Sequence, residues 1–169
     1  LKALPLKILA TIMEKAPINL TNMLLFSVTP LLAIILVPLY GYLDGYDLYE
    51  WLVFLGMMLF CGLSITAGYH RMWSHKAYKG HPFLRLIFAL GGACALQNDV
   101  MHWASDHRRH HRYVDQNDLD PYSARRGFWF SHIGWILRHY DSGKEDFSNI
   151  KDIQQDKVAL WQHQHYLIL

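Results

Sequence analysis

The chain has 169 residues and a net charge of +2, too weak an excess of positive charge to point to nucleic acid. That length suffices for one domain with its own core. Two cysteines without a C-x-x-C pair exclude a disulfide framework and a cysteine zinc site, and Cys61 and Cys94, each inside an apolar run, read as buried thiols.

Residues 1–19 carry Lys2, Lys7 and Lys15 and read as an amino-terminal interfacial segment. They lack the charged start, compact apolar middle and small-residue cleavage site of a signal peptide. Residues 16–43 contain no charge, and 20–43 is long enough to span a bilayer, which needs about 20 apolar residues. Pro30 and Pro38 would kink this helix, as membrane helices tolerate. Asp44, Gly45 and Asp47 make an acidic turn, and a second uncharged run follows at 51–69. Residues 20–69 therefore form a transmembrane hairpin. Lysines precede it and Arg71, Lys76, Lys79 and Arg85 follow it, so the positive-inside rule puts both hairpin ends on the cytoplasmic side.

The apolar run 86–98 would make a helix about 20 Å long, against roughly 30 Å of hydrocarbon. It is too short to cross, and is expected to lie in the interface or against a cytoplasmic cap. Beyond Asp115 the chain turns polar, then aromatic at Phe128-Trp129-Phe130. Residues 141–157 are charged and expected on the surface. A fresh apolar stretch at 166–169 reads as the start of a further span cut short. The fold expected is all-α: a transmembrane helical hairpin and a cytoplasmic helical cap (70–165) carrying a histidine-bound di-metal site.

Five histidines carry the chemistry. His70 and His75 follow the second span, and His107, His110 and His111 follow the third apolar run. The second group is spaced i, i+3, i+4 and shares one helix face. His70 and His75, spaced i, i+5, point roughly 140° apart on a regular α-helix. They converge only if the helix ends or unwinds near Trp73-Ser74, or else they serve two metals. His81, His102, His132, His139, His163 and His165 read as non-ligands, with His163 the nearest to an exception.

All-nitrogen ligation excludes calcium and magnesium. Five imidazoles exceed the four ligands of one zinc, so a pair of irons fits better. Asp106, Asp115 and Asp118 are candidates to hold imidazole N–H groups, Asp106 foremost.

The residues Ile65-Thr66-Ala67-Gly68-Tyr69-His70-Arg71-Met72-Trp73-Ser74-His75 resemble the first histidine box of membrane-bound fatty acyl Δ9 desaturases, of the stearoyl-CoA desaturase type. Gln97-Asn98-Asp99 with Trp103-Ala104-Ser105-Asp106-His107-Arg108-Arg109-His110-His111 resembles the second box. Asp120-Pro121 and Arg125-Arg126-Gly127-Phe128-Trp129-Phe130-Ser131-His132-Ile133-Gly134-Trp135 match a further stretch, so the resemblance runs from about residue 20 to the end. It implies two irons per active site and O₂-dependent insertion of a cis double bond, Δ9, into a saturated acyl-CoA or acyl-lipid. It implies His70, His75, His107, His110 and His111 as ligands, with the family's third box and second pair of spans outside this stretch, which alone is expected to be inactive.

The resemblance also implies substrate contacts. Gln97 and Trp103 match positions at the bend of the acyl tunnel. Asn98, Asp106 and Arg109 match positions at the acyl carrier's head group, and Met58 and Gly62 match its closed far end. The electron donor implied is a ferredoxin, a rubredoxin or a cytochrome b5. The absence of an appended cytochrome domain in this stretch leans toward a bacterial inner membrane over the endoplasmic reticulum, with the active site facing the cytoplasm. Two other readings compete: a membrane di-iron hydroxylase, whose boxes are spaced differently, and a non-catalytic metal-binding membrane protein, whose ligands usually lie near the bilayer midplane.

Overall fold

The computed structural model describes residues 16–169. The lysines at 2, 7 and 15, on which half of the charge argument rests, lie outside the described residues. The chain is all-helical: among the described residues the β-pairing amounts to one isolated bridge, Ile18 to Arg138.

Helix α1 (Leu20–Leu43) runs continuously through both prolines, capped by the Asn19 side chain, which accepts from the Asn22 N–H. At 1.5 Å per residue its 24 residues extend about 36 Å, enough to cross a bilayer. The acidic turn ends in a capping box. Asp47 accepts from the Tyr49 and Glu50 N–H groups while the Glu50 carboxylate accepts from the Asp47 N–H, starting α2 (Leu48–Leu63). Neither α1 nor α2 buries a single residue within the fold. Apolar helices left this open to their surroundings need a lipid solvent. Two helices, Leu20–Leu43 and the continuous Leu48–Ser74, are long and apolar enough to span.

The second span does not end as an α-helix. From Ser64 to Ser74 it widens into a π-helix of 11 residues. The His75 N–H bonds the His70 carbonyl at 3.0 Å, and the Ser74 hydroxyl donates to the Tyr69 carbonyl at 2.7 Å, each partner five residues back. The wider turn rotates the buried face onto Tyr69, Met72 and Trp73.

Helix α3 (Pro82–Cys94) begins with proline in its first turn and packs across the π-helix. Its small residues let the two backbones touch. A Cβ on Gly92 would fall 2.3 Å from the Tyr69 ring, and one on Gly68 would fall 2.7 Å from Phe88. This is the short apolar helix expected at 86–98, shifted four residues toward the amino terminus, and it is tucked against the cap.

Helices α4 (Val100–Arg112) and α5 (Lys157–His165) complete the core. Gln162, fully buried, joins three elements. Its amide donates to the Tyr69 hydroxyl and to the Ala89 carbonyl, and its oxygen accepts from the Val100 N–H. Arg108 performs a similar task at the other end. Its guanidinium donates to the carbonyls of Trp73, Ser74 and Asn149 and to both oxygens of Asp152.

Two expectations are corrected here. Cys94 is exposed and Cys61 only half-buried, because Cys94 lies at the end of α3 and Cys61 at the end of α2 where α3 only begins to cover it. The charged stretch 141–157 is not all surface: Ile150 and Ile153 are buried in the core, between polar neighbours that face outward.

Candidate metal centre

Helix α4 starts where Asp99 accepts from the Met101 and His102 N–H groups. Two turns in, it turns His107 and His111 toward the end of the π-helix. There His75 Nε2 stands 3.1 Å from His70 Nε2 and 3.0 Å from His107 Nε2, and His111 Nε2 stands 3.1 Å from His107 Nε2. The four residues offer nitrogens that all lie within 4.8 Å of one another.

The π-helix explains how His70 and His75 meet. An i→i+5 turn holds more residues than an α-turn, so side chains five apart stand about 50° apart around the axis instead of about 140°. The sequence-based expectation had the helix unwinding near Trp73-Ser74; it widens instead, beginning ten residues before Ser74.

These nitrogens are prepared to donate. Burial, reinforced by the imidazoles of His111, His70, His75 and His110, pushes the His107 pKa down to about 3. Burial and then His70 and His111 lower that of His75 as well. Neutral imidazoles keep their lone pairs free at physiological pH. Donors roughly 2.0–2.1 Å from a common cation sit about 2.9 Å apart in octahedral and about 3.4 Å apart in tetrahedral geometry, and the 3.0 and 3.1 Å separations here fall between the two. An all-nitrogen set of this spacing fits a transition metal and not a hard cation.

His110 is placed differently. Its Nδ1 lies 2.9 Å from a carboxylate oxygen of Asp120, and its ring packs on Tyr122 with centroids 4.6 Å apart. It stands beside the four-histidine group, with its ring centre 5.6 Å from that of His111 and 6.5 Å from that of His107. Asp120 is fully buried and also accepts from the Asp115 and Tyr122 N–H groups. A carboxylate on Nδ1 fixes the tautomer and turns Nε2 outward as a donor.

Asp120 was missed from the sequence, and Asp106, Asp115 and Asp118 were favoured in its place. That expectation is corrected for Asp106 and Asp115. Asp106 precedes His107, so the helix points the two apart, and it pairs with Arg109 one turn on. Burial raises the Asp106 carboxyl against the opposing pull of Arg109. Asp115 accepts from the Ala124 N–H, and Asp118 lines an open polar surface cleft with Arg126 and Asp141. The signal that pointed to Asp120 was its place before Pro121, where a turn returns the chain to α4.

Of the expected substrate residues, Trp103 stacks on His107 with centroids 4.7 Å apart, and its indole N–H donates to Gln97 at 3.3 Å. These two join the histidine group. Asn98 holds a left-handed backbone at φ 72°, and its N–H donates to the Tyr166 hydroxyl. Arg109 binds Asp106 and the Lys144 carbonyl, on a different side of α4. Met58 and Gly62 lie exposed on α2, and open space faces Gly62.

A further group sits on the opposite side of α4: Asp99, His102 and His163 also bring three ligand atoms within 4.8 Å. Burial alone would lower the His102 pKa, but Asp99 and Glu145 outweigh it and push it up to about 9.

Two helices apolar enough to cross a bilayer, with an all-imidazole cluster at the end of one, define a membrane-associated protein with a metal-binding histidine centre. Comparison with known proteins names the family. The family model described as Fatty acid desaturase matches residues 49–168, and the chain belongs to that family. It is 43% identical over 108 residues to a probable acyl-CoA desaturase of Schizosaccharomyces pombe, covering 64% of this chain and 22% of the relative. It is 44% identical over 119 residues to an acyl-CoA desaturase of Cyprinus carpio, covering 69% and 36%. It is 39% identical over 151 residues to stearoyl-CoA desaturase 4 of Mus musculus, covering 88% and 41%. The chain thus spans well under half the length of these curated relatives.

Proposed function

We propose that the protein to which this chain belongs is an O₂-dependent acyl desaturase. It introduces a cis double bond, at Δ9, into a saturated acyl-CoA or acyl-lipid at a pair of histidine-bound irons. The observation that carries this reading is the convergence of His70, His75, His107 and His111 at the end of a membrane-spanning helix. The acyl-CoA desaturases among its relatives support the substrate class.

His70, His75, His107 and His111 would hold one ion, and His110, oriented by Asp120, would serve a second. The chemistry that such an iron pair supplies when bound is reductive activation of O₂ and removal of hydrogen from two adjacent methylenes. O₂ is a four-electron acceptor, so two electrons come from the C–H bonds and two from a redox protein, leaving two waters. The donor is a ferredoxin, a rubredoxin or a cytochrome b5.

The protein's own groups do the positioning. Depressed imidazole basicity keeps His75 and His107 neutral and free to ligate. The Trp103 indole, steadied by Gln97, walls the histidine group with an apolar face suited to a methylene chain. Arg109, held by Asp106, offers a guanidinium to a phosphate-bearing head group near Asn98. Met58 and Gly62 close the far end of the acyl channel. The site faces the cytoplasm. The host decides between a bacterial inner membrane and the endoplasmic reticulum, toward which the fungal and animal relatives lean.

The test is expression of the full-length gene in cells, with fatty-acid profiling and iron analysis of the purified protein. A new cis-monoene with two irons per chain supports the reading. An alcohol product points to a hydroxylase, and unaltered lipids with bound metal point to a non-catalytic metal protein. Gly62→Trp should shorten the preferred acyl chain, and an unchanged chain-length profile rejects the assignment of the far end.

A further inference from the structure

Helix α4 carries a second convergence of ligand-type side chains, on the side away from His107. Asp99 Oδ2 lies 2.6 Å from His102 Nδ1 and 3.2 Å from His163 Nδ1. The three residues come from the start of α4, its first turn and the far end of α5. We propose that Asp99, His102 and His163 form a separate site for one divalent cation of the zinc type, which fastens α5 to the start of α4.

Four observations carry this. First, the carboxylate is built for the task. The Asp99 side chain is only 4% exposed, and its other oxygen, Oδ1, is held by the Met101 and His102 N–H groups, which aims Oδ2 between the two imidazoles. Second, His163 Nδ1 is shut off from solvent and makes no hydrogen bond of acceptable geometry, although Oδ2 is close by. A buried nitrogen without a partner is costly, and a cation between it and Oδ2 would satisfy both.

Third, the outer nitrogen of His102 is already engaged: Nε2 lies 2.8 Å from the Glu145 carboxylate. A carboxylate on the outer nitrogen is the usual support for a metal-bound histidine. Fourth, the Phe147 ring packs on both imidazoles, with centroids 4.9 Å from His102 and 5.6 Å from His163, which shields the space between them.

Two imidazoles and one carboxylate are the donor set of a zinc ion that keeps its fourth position for water. Donors around such an ion stand about 3.4 Å apart, so His163 is already near its place and His102 must withdraw by less than about 1 Å. Binding displaces the proton that His102 shares with Asp99. The site shares no residue with the four-histidine group, so the two should load independently.

The experiment uses the full-length protein in lipid nanodiscs, with its iron in place, freed of loosely held metal by gel filtration and then given Zn²⁺ alone. One zinc per chain should bind beyond the iron content and raise the unfolding temperature. His163→Gln and His102→Gln should each abolish that zinc and the temperature shift while iron content stays unchanged. Zinc uptake that survives both substitutions, or that disappears only with His107→Ala, overturns the proposal and leaves the triad as a hydrogen-bonded tie between helices. A second measurement avoids dependence on folding of the variants. Carbethoxylation of His163 in the unaltered protein, read by mass spectrometry, should slow at least tenfold when Zn²⁺ is present. An unchanged rate also overturns the proposal.

Discussion

His102 and His107 stand five residues apart on one helix and have opposite proton affinities. Burial pushes both imidazoles in the same direction, toward the neutral form. The neighbours decide the outcome. Around His107 they are four other imidazoles, which add to the effect of burial and bring the pKa to about 3. Around His102 they are the carboxylates of Asp99 and Glu145, which reverse it and bring the pKa to about 9. One helix thus presents a cluster of bare lone pairs on one side and a charged histidine held between two carboxylates on the other. The first suits redox metal chemistry without added negative charge; the second suits a structural tie.

The contrast can be broken most severely at the first cluster. His107→Ala removes the residue that touches both His75 and His111, so iron binding and product formation should fall below detection while His102 and its partners stay ordered. Iron analysis and gas chromatography of cellular lipids check this; a variant that keeps its iron would sink the assignment.

A smaller effect is expected at Asp120. Asp120→Asn keeps the shape but weakens the hold on His110, and a loss of about 10–100-fold in metal affinity or activity should follow. The same substitution at Asp106, which supports Arg109 and no imidazole, should leave metal affinity alone.

Arg108 tests what the two clusters share. It ties the end of the π-helix to the segment around residues 149–152, and Arg108→Ala strands several buried carbonyls. Charged hydrogen bonds of this kind are worth about 1.5–3 kcal/mol, and denaturant unfolding in micelles should show a loss of that order. Arg108→Lys should recover little of it, because an ammonium cannot reproduce the planar fork.

The smallest and sharpest effect is in pH. In the metal-free protein, His107 holds its proton more weakly than the ordinary 6.5, so the unfolded chain takes up protons first as pH falls. Stability should therefore drop as pH goes from about 6.5 toward 3. His102 holds its proton more tightly than the ordinary 6.5. Its contribution is complete below about 6.5 and lost as pH rises through 9. His107→Gln should flatten the acid side of a plot of unfolding temperature against pH, and His102→Gln the alkaline side. If both substitutions flatten the same side, the contrast between the clusters is wrong.

Much of this was legible in the chain. The spans show because lipid demands an uninterrupted apolar run of a definite length, a property of sequence alone. His107 and His111 share a face because α-helical periodicity is local. Other features were hidden for reasons that can be named. His70 and His75 look divergent until the helix is known to be π, and that widening depends on the packing of Tyr69, Met72 and Trp73 against α3 and α4. Asp106 looked like the imidazole's support because it is adjacent in sequence, but neighbours on an α-helix point about 100° apart.

The primary structure by itself determined two membrane-spanning helices, the histidine-bearing segments at their edge and the family to which they belong. Tertiary structure alone decided which nitrogens meet, that Asp120 supports His110, and that Asp99, His102 and His163 come together across 64 residues. The physical reason is range. Hydropathy and helical period act over a few turns, whereas a metal site needs side chains from distant segments within a few ångströms, and only packing of the whole core brings them there.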